Sequence, residues 1–228
     1  QRWDAAVFIF IWVCSFTTAG LGEHLRGKPA QMALSVSLTG IFSGVMLCLA
    51  YAVARICRSL IVMLDTFCCD VVGNLPLQRV GHTWNLTQAV LRKASTDVES
   101  SLVVLCIFLA FSVPFLAVDV TLLGMRGEEL SRLLPGVCVT CGILYSLLLA
   151  AMVSERSTRI PALINAVSFG PGTDMARQQT VDYVTSSAAG FYVVDMRLTT
   201  WRIVKFMYVW CLVVTGVLTR LSTPQSPR

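Results

Sequence analysis

Residues 133–154 read LLPGVCVTCGILYSLLLAAMVS, a run of 22 residues without a charged side chain. About 20 apolar residues in a helix are needed to cross the hydrocarbon core of a bilayer. In lipid, backbone N–H and C=O groups must also hydrogen-bond within the protein, and a helix forms these bonds within one segment. This run therefore predicts a transmembrane helix.

Four other segments resemble this run in length and apolar character. The alternation typical of a membrane barrel is missing from them. The last of the four carries Arg202 and Lys205 in its first third and is otherwise uncharged. The segments are Ala5–Gly22, Pro29–Ala54, Ser100–Val118 and Leu198–Thr219. The chain is therefore predicted to be an all-α, polytopic transmembrane bundle with five spans.

The composition of the whole chain agrees with a membrane protein. Of its 228 residues, 55% are hydrophobic and 14% are charged, against about 45–50% and about 25% in soluble domains. The sequence holds no glycine-rich phosphate loop, metal-binding His-Glu motif or nucleophile elbow. Neither an enzyme nor a nucleic-acid-binding protein is expected, and no cofactor. Cys138 and Cys141 have metal-ligand spacing, but no second pair accompanies them, so no metal site is expected.

The connections between the spans differ in length and charge. Two are long, Arg55–Glu99 and Glu155–Arg197, and together hold nine basic residues. The short ones, Glu23–Lys28 and Asp119–Arg132, hold four. Because basic residues accumulate on the cytoplasmic side, the long connections are predicted to be cytoplasmic. Five spans then place the C-terminus outside the cell.

Both long connections contain helical patterns. Apolar residues from Leu77 to Val98 recur at three-and-four spacing, which predicts one long helix that starts near Pro76 and enters the third span. The second connection predicts a helix over Ile160–Phe169, a break at Gly170-Pro171-Gly172 and a helix over Asp174–Ser187. These stems either extend the bundle into the cytoplasm or lie flat on the bilayer.

These features divide the chain into five parts. Gly40 and Gly44, one turn apart in the second span, additionally predict close approach of another helix. The parts are 1–54, the first two spans; 55–99, a cytoplasmic helical stem; 100–154, two more spans; 155–197, a cytoplasmic helical connection; and 198–228, the last span with a short extracellular tail.

One motif links the chain to a known family. Residues 188–199 read AAGFYVVDMRLT and precede a span that contains Tyr208. This pattern resembles the insect gustatory and odorant receptor superfamily, whose last span reads Thr-Tyr, five hydrophobic residues and Gln-Phe. Tyr208 and the hydrophobic run Val209–Val213 match that motif, whereas Met207, Val214 and Thr215 depart from it. The resemblance covers roughly Leu77–Thr219.

The resemblance implies a function in sensory perception of taste. Members of this superfamily resemble tetrameric ligand-gated cation channels of the plasma membrane, in which the last span lines a central pore. Tastants or odorants, which are small organic molecules, bind between the outer halves of the other spans. Assembly as a homo- or hetero-tetramer would involve the last span and the cytoplasmic helices. The five spans would correspond to family spans three to seven, so the chain is expected to be a fragment.

The resemblance also implies two sets of site residues. One face of the last span would form the pore and gate, although the same face could pack inside the bundle. The ligand pocket would combine aromatic rings with Asp119, which could equally mark the end of a helix at the headgroups. The pore and gate residues are Val204, Tyr208, Cys211, Thr215 and Leu218. The pocket residues are Phe16, Phe42, Phe115, Asp119 and Tyr145.

Two other functions stay open. The chain could be a multi-pass scaffold or assembly subunit without a pore. A transporter is a further alternative, but the internal repeats typical of transporters are not seen.

Overall fold

The computed structural model describes residues 2–24, 29–73, 76–123, 127–167, 174–187, 190–193 and 196–222. Within these ranges the chain is nearly all helical. Its helices are α1 (Arg2–His24), α2 (Pro29–Val72), α3 (Leu77–Leu123), α4 (Gly127–Ala166), α5 (Asp174–Ser186) and α6 (Thr200–Ser222). One hairpin, formed by β1 (Tyr192–Val193) and β2 (Met196–Arg197), precedes α6.

Every predicted span lies largely within a helix, and three described helices are long and apolar enough to cross a membrane. These are the parts of α2, α3 and α4 over Val36–Val72, Arg79–Pro114 and Leu134–Ala166. In α1 a shorter apolar part runs over Ala5–Thr17. A nearly all-helical chain compatible with a membrane is therefore confirmed, whereas the count of five spans stays a prediction.

The long helix α3 joins the predicted stem to the third apolar run without interruption. It begins directly after Pro76, whose carbonyl accepts hydrogen bonds from the backbone nitrogens of Arg79 and Val80, at 2.8 and 3.3 Å. Proline suits this place because the first helical turn has no intrahelical partner for its N–H. The prediction of one continuous helix is confirmed.

The chain forms two compact units. The span unit comprises Gln1–Ala52, Val104–Leu147 and Trp201–Arg228, and the stem unit comprises Val53–Val103 and Leu148–Thr200. Helices α2, α3 and α4 contribute residues to both units.

In the span unit, aromatic side chains of α1 pack on the glycines of α2. A Cβ added at Gly40 would lie 2.7 Å from the Phe16 ring, and one at Gly44 would lie 3.0 Å from Trp12 Nε1. The Trp12 indole N–H donates to the Gly40 carbonyl at 3.1 Å. The predicted close approach at these glycines is therefore made by α1, through its rings.

In the stem unit, the predicted apolar stripe of α3 is buried. Its Trp84 ring lies 5.6 Å from the Phe67 ring of α2, centroid to centroid. Because the protein itself covers the stripe, the packing favours a bundled stem over helices that lie flat on a bilayer. The buried stripe residues are Val80, Trp84, Thr87, Leu91 and Val98, while Ala94 is half-buried and the Leu77 side chain lies outside the described residues.

The connection between α4 and α6 differs in part from its prediction. Helix α5 begins at Asp174 as expected, and the Gly170-Pro171-Gly172 break lies outside the described residues. The hairpin was not predicted, because strands of two residues are too short to show alternation. Its register pairs Tyr192 with Arg197, and Leu198 N donates to the Phe191 carbonyl at 2.8 Å.

Candidate functional site

One turn of α4 holds the hairpin and the start of α6 through hydrogen bonds. We call this arrangement, formed by Ser154, Glu155, Ser157, Arg197 and Thr200, the α4 clamp. Arg197 Nη2 donates to the Ser154 carbonyl and to Ser157 Oγ, both at 2.8 Å. The backbone nitrogen of Thr200 donates to Glu155 Oε1 at 2.8 Å. The carboxylate thus accepts from a backbone N–H at the first turn of α6, where helices favour negative charge.

Gly190 allows the hairpin to approach the clamp closely. A Cβ at this position would lie 3.0 Å from Arg197 Nε and 3.2 Å from Ser154 Oγ. The next residue, Phe191, is buried, and its backbone nitrogen donates to Ser154 Oγ at 2.9 Å. The stretch that carries the family resemblance therefore supplies the residues that dock onto α4. Sequence reasoning found the stretch but not its partner on α4.

A second set of hydrogen bonds joins α5 to α3. Ser187, directly after α5, accepts from Trp84 Nε1 at its Oγ and from Gln88 Nε2 at its carbonyl, both at 2.8 Å. Tyr183 OH donates to Asn85 Oδ1 at 2.6 Å. Asn85 begins an Asn-Leu-Thr glycosylation signal, and its side-chain amide is engaged in this contact.

The predicted pore stripe lies on α6, most of whose described side chains are exposed. Val204, Tyr208, Cys211 and Thr215 are exposed, and the side chain of Leu218 lies outside the described residues. The described part of the chain does not cover these four side chains, and both the pore face and packing within a bundle stay predictions. Other faces of α6 are exposed as well, and between 201 and 219 Ile203 is the one buried residue among those described. Exposure alone does not single out the stripe.

Thr215 makes the pore stripe less polar than the sequence indicates. The Thr215 hydroxyl donates to the Cys211 carbonyl one turn earlier, at 2.8 Å. This bond occupies the hydroxyl hydrogen on the helix itself, a common arrangement for threonine within helices. The stripe thus combines a phenol, a thiol and a threonine whose donor is already used.

The structure does not bring the described members of the predicted ligand pocket into mutual ring contact. Phe16 lies beside Trp12, with ring centroids 6.2 Å apart. Phe42 lies beside Phe108 at 5.7 Å, and Tyr145 lies beside Phe8 at 6.3 Å. The side chains of Phe115 and Asp119 lie outside the described residues, so a shared pocket stays a prediction.

The span unit contains a cavity that sequence reasoning missed. It has a volume of about 280 Å³ and lies between α1 and α2, with none of the five predicted pocket residues in its wall. No local pattern marks it, because its wall depends on how the two helices pack. The wall consists of Ala5, Phe8, Ile9, Trp12, Gly44, Leu47, Cys48 and Tyr51.

Groups of residues suited to a metal are not found in the part of the chain that the structure describes. Its nine cysteines are free thiols; Cys138 is half-buried and Cys141 is exposed. Comparison with protein-family models, curated proteins and solved structures finds no match to this chain. The family resemblance rests on the sequence motif.

Proposed function

We propose that this chain belongs to a gustatory-receptor-like subunit of a ligand-gated cation channel in the plasma membrane, which senses small organic molecules. Four such subunits would assemble around α6, with the long connections in the cytoplasm and the C-terminus outside. The observation that carries the proposal is the contrast along α6. Its first residue is held by the α4 clamp, whereas most of its later side chains are exposed.

This contrast suits a helix that meets copies of itself at a shared axis. A helix held at one end by its own subunit keeps a defined position, and its uncovered length is free to line a pore or contact lipid. The hairpin that leads to α6 carries the residues of the family motif and docks onto α4 through Arg197 and Ser154. The family motif and the hydrogen bonds to α4 thus involve the same segment, the hairpin that leads into α6.

Gating would occur by dewetting of a narrow part of the pore. Tyr208, Cys211 and Thr215 would face the axis, with the Thr215 hydroxyl bonded to its own helix. Arg202 and Lys205 are exposed near the start of α6. They would point toward the headgroups, because positive charges at the axis would oppose cations.

Current recording tests the proposal on the receptor subunit that contains these residues. We expect that subunit to reach the cell surface, to bleach in four steps when fluorescently labelled, and to pass cation current on exposure to a panel of small organic compounds. A subunit that reaches the surface and passes no current with any compound would instead favour a scaffold or assembly role.

A thiol reagent tests the pore stripe separately. Applied during the open state, it should block the current by modifying Cys211. Cys211→Ala should abolish the block, while Cys141→Ala, at another exposed cysteine, should preserve it. A current that ignores the reagent in the parent protein would remove Cys211 from the pore.

A further inference from the structure

The cavity between α1 and α2 has a closed floor and an open rim. Phe8 and Leu47 form the floor and are buried, whereas Ile9, Trp12 and Cys48 are exposed at the rim. The cavity therefore opens to the outside of the helix pair. We call it the α1–α2 groove.

The surface that lines the groove is apolar. The one polar atom of the Trp12 side chain donates to the Gly40 carbonyl at 3.1 Å, so the indole presents carbon to the groove. The Tyr51 ring packs edge-on against Phe8, with centroids 5.5 Å apart. Water needs two or more polar partners to occupy a cavity, and apolar cavities stay dry or take apolar guests. The wall thus selects a hydrocarbon.

The surroundings of the groove indicate where such a hydrocarbon comes from. Both helices also carry exposed apolar side chains outside the groove wall, among them Phe10, Ile41 and Val45. Both helices carry uncharged runs of membrane-spanning length in the sequence, and α2 has the length and apolar character needed to cross a bilayer. The molecules that meet this rim in a membrane are the acyl chains of lipids.

We propose that the α1–α2 groove is a binding site for an acyl chain of a bilayer lipid. Its volume of about 280 Å³ exceeds the roughly 150 Å³ of an apolar cavity that accommodates benzene, so a segment of an acyl chain fits. Gly44 lies in the wall and lets Trp12 pack closely there, because a Cβ would lie 3.0 Å from Trp12 Nε1. None of the proposed pocket residues lines this site, although Phe16 and Tyr145 adjoin its wall, and the proposal does not depend on channel function.

Photochemical labelling tests the proposal directly. The chain is reconstituted in phosphatidylcholine vesicles that contain a lipid with a diazirine midway along one acyl chain. After illumination and digestion, mass spectrometry measures the fraction of each peptide that carries a lipid adduct. We expect adducts to concentrate on the groove residues around Trp12 and Cys48.

Two phenylalanine variants distinguish the groove from the general lipid-facing surface. Cys48→Phe fills the groove and should lower its adduct fraction several-fold. Val45→Phe adds the same ring to the same helix at an exposed position outside the groove wall, and should leave that fraction nearly unchanged. Circular dichroism confirms that both variants keep the parent's helicity before labelling.

Two results would overturn the site. Labelling spread evenly over exposed apolar residues and unaffected by Cys48→Phe would show random contact with lipid. Labelling that spares the groove while marking the rest of α1 and α2 would show that a protein element covers it, such as a second copy of the chain. Neither result depends on whether the protein passes current.

Discussion

Trp84 of the stem unit and Trp12 of the span unit are used in different ways. Trp84 is 1% exposed, and its indole N–H donates to a side-chain hydroxyl, Ser187 Oγ. Trp12 is 41% exposed, and its indole N–H donates to a backbone carbonyl, that of Gly40. Trp84 lies within a core formed by three helices of its own chain, whereas Trp12 forms part of the rim of a groove.

Other side chains of each unit show the same contrast between buried hydrogen bonds and exposed apolar surface. Buried polar groups of the stem unit have hydrogen-bond partners, as burial away from water requires. Ser154 and Ser157 are buried, and both accept from the half-buried Arg197. The span unit exposes large apolar side chains such as Phe10 and Ile41. Exposed apolar surface costs little in lipid, because lipid tails are as apolar as the side chains. Both units have a buried apolar core, and the two tryptophans differ in whether the chain's own side chains cover them.

The largest expected effect follows from truncating the two tryptophans. Trp84→Ala should lower the free energy of unfolding by about 3–5 kcal/mol, because it leaves a cavity in a packed core. Trp12→Ala should cost much less, since detergent or lipid can fill the space at the groove rim. Denaturant titration in detergent micelles, followed by circular dichroism, measures both. Equal losses would mean that the two units are packed alike.

Alanine substitutions at two glycines of the stem unit test how tightly the hairpin packs against the α4 clamp. Gly190→Ala should destabilise the protein by about 1–3 kcal/mol, because the new methyl group would press on side chains held in hydrogen bonds. Gly81→Ala, within α3 and with open space around it, should stabilise by about 0.5–1 kcal/mol. Thermal unfolding of both variants measures the difference, and a gain at Gly190 would show a loosely packed clamp.

The smallest expected effect concerns charge on the outside of the stem unit. Arg156 of α4 forms an ion pair with Asp65 of α2, with both side chains partly exposed. Exposed pairs contribute about 0–1 kcal/mol and weaken in salt. A double-mutant cycle with Asp65→Asn and Arg156→Gln should give a coupling within that range. A coupling above about 2 kcal/mol would make electrostatics, not core packing, the main difference between the units.

The sequence by itself determined the helices and one buried face. Uncharged runs and a period of 3.6 residues are local properties, so they identified the helices, the continuity of α3 and the stripe from Val80 to Val98. The family motif likewise directed attention to the junction before α6. These signals need no knowledge of which other segment lies nearby.

Only the tertiary structure determined the α4 clamp, the α1–α2 groove and the exposure of the described side chains of α6. Arg197 meets Ser154 across 43 residues of sequence and Trp84 meets Ser187 across 103, and such distant pairs leave no periodic trace. Cys48 lines a groove only because α1 packs against Gly40 and Gly44 and leaves a space beside them. An apolar side chain reads the same in sequence whether it faces protein or lipid, because both surroundings are equally free of water.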